Sequence, residues 1–182
     1  MMDEQNYYFE KEGYMFIFKD IFEKVNDEHL ELRRKLFNGE ISKNEFRSEY
    51  KKGSDIIEKA TKLVKTKKEF VNEYLKFRIS EKRAIEQWKH EREHCKIIQQ
   101  NGCVPEIVLF YVIDRQAIQN KNPPFMLIPA TKGNELHMLE EWSIEQFRDY
   151  SLKTLEIKSL SVMDKKQKDS MNLQPQRNKE VA

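Results

Sequence analysis

The stretch that decides the reading of this chain runs from Ile56 to Ile98. Ile56, Ala60, Leu63, Lys67, Phe70, Tyr74, Phe77, Glu81, Ala84, Trp88, Glu91, Cys95 and Ile98 recur at alternating steps of four and three. Such stepping lines up side chains along one face of a helix. It predicts one long helix reaching about Gln100, with a pause at Gly53-Ser54 and charged interruptions at Lys67, Glu81 and Glu91.

Upstream, Tyr14, Phe18, Ile21, Val25, His29, Leu32 and Leu36 also step by three and four, which predicts a helix over 14–37. His29 falls on that stripe and reads as a histidine at the core boundary. Asn38-Gly39 is a helix stop. Ser42-Lys43-Asn44-Glu45 then has the form of a capping box, with Ile41 and Phe46 as a hydrophobic staple. Together these predict an antiparallel helical hairpin with its corner at 38–42. At 1.5 Å per residue the first helix spans about 36 Å and the second about 70 Å. The surplus, roughly residues 77–98, must be covered by the C-terminal part, by another copy or by a partner.

Downstream the composition changes. Asn101-Gly102 ends the helix, and Ile107-Val108-Leu109-Phe110-Tyr111-Val112-Ile113 is a dense β-branched and aromatic run that reads as a buried strand. Phe125-Met126-Leu127-Ile128, bounded by prolines, reads as its hairpin partner across a loop of about ten residues. Ser143-Ile144-Glu145-Gln146 is a second capping box that starts a helix through Phe147 and Tyr150. Leu155, Ile157, Leu160 and Val162 form a broken alternation that fits either a third strand or a continued helix, and strand is the preferred reading. From Asp164 the chain is polar and reads as a disordered tail.

The fold class expected from these signals is α+β and predominantly helical. An N-terminal antiparallel helical hairpin with one long helix (1–100) is followed by a small β-hairpin and helix unit (101–163) and a disordered tail (164–182). With 38% hydrophobic and 35% charged residues, the core is thin for the length. The chain opens Met1-Met2-Asp3-Glu4, without the pattern of a secretory signal. No apolar run approaches the roughly 18 residues of a membrane span. A cytoplasmic location is therefore expected. Cys95 and Cys103 form no C-x-x-C, so a structural zinc site built of cysteines is excluded, and two reduced thiols are expected.

The net charge of +2 is unevenly placed. Residues 1–42 carry 6 basic and 10 acidic groups, residues 43–100 carry 16 and 10, and the remainder balances at 11 and 11. Lys59, Lys62, Lys65, Lys67 and Lys68 crowd one stretch and could meet phosphate. Acidic residues are interleaved and no nucleic-acid-binding motif appears, so a solvated face is the preferred reading.

One string carries chemistry: His90-Glu91-Arg92-Glu93-His94 spells H-E-x-x-H and resembles the signature of zinc metallopeptidases over these five residues. On a helix it presents two imidazoles to one metal ion, with the glutamate beside them as general base. The flanks argue otherwise. The two intervening positions are charged, and the helical wheel puts His90 and His94 roughly 120° from the centre of a stripe through Ala84, Ile85, Trp88, Cys95 and Ile98. That places both on a flank or on the solvent side. No third ligand stands at a recognisable spacing, and His137, Glu140 and Glu141 are only distant donors.

The preferred functional reading is a non-enzymatic interaction or adaptor module that presents its long amphipathic helix. It would bind another protein or a second copy of itself, with Trp88, Phe77, Tyr74, Ile85 and Ile98 as anchors and no cofactor. The alternative is a zinc metallohydrolase with His90 and His94 as ligands and Glu91 as base. Accessory nucleic-acid binding through the basic stretch ranks third.

Overall fold

A computed structural model of the protein describes residues 6–119, 125–155 and 162–172. The first element is a hairpin that the helical stepping concealed. Strands β1 (Tyr8–Lys11) and β2 (Tyr14–Phe18) pair antiparallel across a two-residue turn, with Lys11 opposite Tyr14. Both turn residues have positive φ, 52° at Glu12 and 80° at Gly13, as the tight turn that matches strand twist demands. Tyr14 and Phe18 therefore belong to a strand, and the helix expected over 14–37 begins only at Lys19. The sequence is ambiguous there because Tyr14, Phe16 and Phe18 also alternate with period two.

Helix α1 (Lys19–Phe37) buries Ile21, Phe22, Val25, His29 and Leu36. It ends in a Schellman turn: Gly39 sits at φ 74°, its amide donates to Leu36 O, and the Glu40 amide donates to Lys35 O. Ser42 then caps α2 (Lys43–Glu58) by accepting from the Glu45 amide at 3.1 Å. The corner at 38–42 is thus where the local signals put it. Gly53 does not interrupt α2. It lies where α2 presses on α1, and a Cβ there would stand 2.6 Å from His29 Nε2 and 3.0 Å from Val25 Cγ1. His29 is buried, stacked on Tyr50 at 3.7 Å, with Nε2 on the Tyr50 carbonyl. Burial, with Arg33 nearby, lowers its pKa to about 4, so it is neutral at pH 7.

The single long helix does not exist, and this overturns the expected hairpin architecture. After α2 the chain forms strand β3 (Thr61–Val64), helix α3 (Lys67–Lys76) and helix α4 (Glu81–Gln100). Each break has a local cause. Thr66 caps α3 by accepting from the Glu69 amide at 3.2 Å. Arg78 closes α3 in the left-handed region at φ 59°, with the Ile79 amide on Tyr74 O. Ser80 caps α4 by accepting from the Arg83 amide at 3.2 Å. The step of four and three survives only because α3 and α4 each lay an apolar stripe on the same sheet.

That sheet is organised by β4 (Glu106–Ile113), in which Ile107 through Ile113 are all buried. One edge of β4 pairs along its whole length with β5 (Phe125–Lys132), from Glu106↔Lys132 to Ile113↔Phe125. The other edge is shared end to end. β3 pairs antiparallel with residues 107–110, the Tyr111 amide donates to Ala60 O, and β2 pairs parallel at Val112 and Ile113. The result is a five-stranded mixed sheet rather than a lone β-hairpin. Val108, Phe110 and Val112 pack with α1 and α2 residues, while Ile107 and Leu109 pack with Phe70, Tyr74, Ala84 and Cys95 of α3 and α4. A buried carboxylate ties this second layer together. Glu73 accepts from Tyr111 OH at 2.8 Å and from Lys62 and Lys76. Burial would push its carboxyl up, but these donors outweigh that and hold it below the usual range.

Beyond the sheet come a single turn, α5 (Glu135–Met138), then α6 (Ile144–Lys153) and α7 (Val162–Asn172). The capping box of α6 is reciprocal: Gln146 N to Ser143 Oγ is 3.1 Å and Ser143 N to Gln146 Oε1 is 2.8 Å. Leu36, Phe46, Ile98, Leu139, Phe147 and Tyr150 make a third cluster off the sheet. The disordered tail expected from 164 is corrected over 164–172, which are helical. Residues 173–182 lie outside the described residues, as do Ile157 and Leu160 of the expected strand. Among the described residues, no helix is long and apolar enough to cross a membrane.

Gly53 supplies the test of this packing. Gly→Ala in an exposed helix interior stabilises by up to about 1 kcal/mol. Here the new methyl meets an imidazole locked against Tyr50, so Gly53→Ala should destabilise by about 1–3 kcal/mol in urea unfolding. Adding His29→Ala should recover much of that loss through coupling of the two sites.

Candidate metal centre

Helix α4 buries more than one side. Its sheet side carries Ala84, Glu91 and Cys95, and its other flank carries His90 and His94. The wheel placed His90 and His94 toward solvent because it reckoned only with the apolar stripe. The C-terminal segment covers that flank instead, and the side chains of His90 and His94 are 17% and 9% exposed.

The covering element contributes a carboxylate. Asp164, in the first turn of α7, places Oδ2 3.3 Å from His90 Nε2 and 3.3 Å from His94 Nε2. One ligating atom from each of the three residues lies within 4.8 Å of the others. His94 Nδ1 lies 2.8 Å from the Thr154 carbonyl at the end of α6. A carbonyl only accepts, so Nδ1 carries the proton and Nε2 is the free lone pair of the neutral ring. That lone pair faces a carboxylate oxygen, an arrangement satisfied only by a cation between them, either a proton or a metal ion. Accordingly, Asp164 holds the His90 imidazole above its usual pKa. At His94 burial opposes protonation, but Asp164 outweighs it and the pKa is again raised.

Two of the three separations compare with those of ligands sharing one ion, and all three atoms lie within 4.8 Å of one another. Charge-assisted N–H···O contacts shorten to about 2.7–2.9 Å. Two ligands of one tetrahedral ion with bonds of about 2.0–2.1 Å stand about 3.4 Å apart. Two imidazoles at 3.3 Å from a single oxygen match the second figure. The carbonyl behind His94 is the usual support for a ligating ring, since it fixes tautomer and orientation.

Glu91 turns the other way, toward β5, where the Thr131 hydroxyl donates to its carboxylate. It is 4% exposed and has no ion pair among the described residues. Burial pushes its carboxyl up, against the pull of Thr131, His94 and His90. When ionised, a buried carboxylate with a hydroxyl as its hydrogen-bond donor leaves a charge to be balanced, and the two histidines of the triad stand on the same helix.

The other sequence-predicted residues do not gather in one place. Tyr74 is buried against Phe70, and Trp88 meets Phe70 edge-on at 5.3 Å. Phe77 joins Tyr14, Phe16, Tyr111 and Phe125 in an aromatic group, and Ile98 is buried in the off-sheet cluster. Ile85 is half-buried on α4. Glu140 pairs with Arg47 at 2.6 Å, so it is not a third ligand, and neither His137 nor Glu141 joins the cluster. Of the lysine group, Lys62 is engaged by Glu73. Asp164 was missed because it stands 70 positions after His94 in a polar stretch with no motif spacing.

No protein-family model matches this chain, and no curated protein or solved structure matches it either.

The Thr131 contact is open to mutation. Thr131→Val should leave a buried acceptor short of its donor and cost about 1–3 kcal/mol. Thr131→Ser, which keeps the hydroxyl, should recover most of that in the same unfolding measurement.

Proposed function

We propose that this protein binds a divalent transition-metal ion through His90, His94 and Asp164, and that zinc is the ion its ligands suit. Two imidazole nitrogens and one carboxylate oxygen are a ligand set that zinc favours. The observation that carries the reading is the pair of 3.3 Å separations from both Nε2 atoms to one Asp164 oxygen. Charge supports it as well. The ion and Asp164 sum to +1, and the buried Glu91 carboxylate brings the group to neutrality.

Three protein ligands leave the fourth tetrahedral position to water, as in catalytic rather than structural zinc sites. This favours a second reading, metal-assisted hydrolysis: a bound ion would supply an activated water, and Glu91, on the same helix as both histidines, would be the base if it turned from Thr131. The docking-arm reading has less support. It rested on a surplus of seam along a 70 Å helix (about 1.5 Å per residue), and the seam is divided among α2, β3, α3 and α4 on one sheet.

Zinc titration by calorimetry, with elemental analysis after dialysis, tests the proposal. One zinc per chain should be retained by the native sequence and lost in His94→Ala. Failure of the native protein to take up zinc, or equal uptake by His94→Ala, overturns it. Glu91→Gln should retain the metal. If the native protein hydrolyses peptide or ester substrates only with zinc and Glu91→Gln does not, the second reading holds. Metal uptake without hydrolysis removes that reading and leaves the binding site.

A further inference from the structure

We infer that the protein binds a small ligand, a single planar aromatic ring bearing an anionic group, in an aromatic cleft between the β1–β2 turn and the end of α3. The cleft shares no residue with the metal centre, and its ligand does not depend on an ion there.

Size and shape come first. The cleft measures about 270 Å³. A cavity of roughly 150 Å³ holds one benzene ring, and sites for drug-sized ligands begin near about 300 Å³. The volume therefore suits one ring with one substituent, not a dinucleotide. The lining is itself made of rings. Phe16 and Phe125 stack at 4.4 Å, Phe77 meets Phe16 edge-on at 5.9 Å, and Tyr14 meets Phe77 edge-on at 5.4 Å. Phe16 is buried, while Tyr14, Phe77 and Phe125 are half-buried and keep part of their apolar surface toward the cleft. A flat ring can stack on these surfaces or meet them edge-on, which a branched aliphatic group cannot.

Charge then selects the substituent. Two ammonium groups, Lys11 and Lys76, share the lining with one carboxylate, Glu12. Lys11 stands opposite Tyr14 across the turn, with Nζ 5.6 Å from the centre of the Phe125 ring, and it makes no ion pair among the described residues. Lys76 reaches the cleft from the last turn of α3, with Nζ 3.0 Å from Glu73 Oε1. Glu73, with the Tyr14 hydroxyl, holds that ammonium above its usual pKa, so it stays charged at pH 7. Glu73 also serves Lys62, and its single charge does not cancel both lysines. A cationic ligand would meet two ammonium groups, and Lys11 already takes the position over the Phe125 face that ring quadrupoles offer to a cation. A neutral ring would leave both lysines without a partner in the ligand. An anionic group on the ring lets each donate a charge-assisted hydrogen bond while the ring lies on the aromatic lining.

Calorimetric titration of the full chain with phenyl phosphate and with benzoate, in the presence of a metal chelator, tests for this ligand. The chelator keeps either anion from being held by an ion at His90, His94 and Asp164. At least one probe should bind at one site per chain, and at least tenfold more tightly than phenol and than the ringless anions inorganic phosphate and acetate. Amide chemical-shift changes should concentrate at residues 11–16, 76–77 and 125. Lys11→Gln, which removes a charge and little else, should weaken binding at least fivefold, while Lys52→Gln, on α2 outside the cleft, should bind as the native chain does. Phe77→Leu keeps apolar volume without the ring and should weaken binding at least tenfold, with unchanged β4 amide shifts showing that the fold is kept. Uptake of neither probe by the native chain overturns the assignment. So do shift changes that map outside the cleft, native affinity in Lys11→Gln, or phenol binding as tightly as the charged probes.

Discussion

Seven consecutive buried residues, Ile107 to Ile113, impose the constraint on which the rest of the structure depends. A strand buried on both faces needs two covering layers, and its backbone needs hydrogen-bond partners on both edges. An amide or carbonyl left unpaired in apolar surroundings costs several kcal/mol. β5 answers one edge along its full length. The other is answered piecewise, by β3 over 107–110 and by β2 at Val112 and Ile113. The first 64 residues are therefore bent to the needs of β4. Residues 61–64 leave the helical path because a ladder on a buried strand outweighs helix-propensity differences of a few tenths of a kcal/mol per residue.

The candidate site inherits its geometry from that strand. The Schellman turn at Gly102, with φ 82° and the Cys103 amide on Ile98 O, carries α4 into β4 and fixes their relation. β5 returns alongside β4 with Thr131 opposite Ile107, which sets the hydroxyl against α4 at Glu91. One side of α4 is thereby clamped to the sheet. The opposite flank, with His90 and His94, is left for the C-terminal helices to cover. The H-E-x-x-H string is thus split: its glutamate faces the sheet while its histidines face α7.

What could be read from the sequence was mainly local. Asn38-Gly39, Asn101-Gly102, Ser42 and the Ser143–Gln146 box mark helix ends through hydrogen bonds within a few residues, and each appears where its signal stands. The density of β-branched and aromatic residues likewise marked β4. The errors arose where two periods coincide or where an unusual residue does a common job. Tyr14, Phe16 and Phe18 fit a strand and Tyr14, Phe18 and Ile21 fit a helix, so only pairing with β1 and β4 decides between them. Arg78 takes the left-handed position that glycine usually marks, which hid the end of α3. At the site, the two histidines and the glutamate were legible as a motif, but their burial was not. Burial depends on α7, and nothing near His94 in sequence points to Asp164.

Between His90, His94 and Asp164 the geometry calls for a proton or a metal ion, and the proposed occupant is a metal ion. X-ray absorption at the zinc edge of the zinc-loaded protein tests this most directly. The expected spectrum shows a first shell of four nitrogen and oxygen atoms at about 2.0–2.1 Å, with the outer-shell pattern of two imidazoles. A sulfur shell at about 2.3 Å, from Cys95 or Cys103, or a shell without imidazole scattering would contradict it.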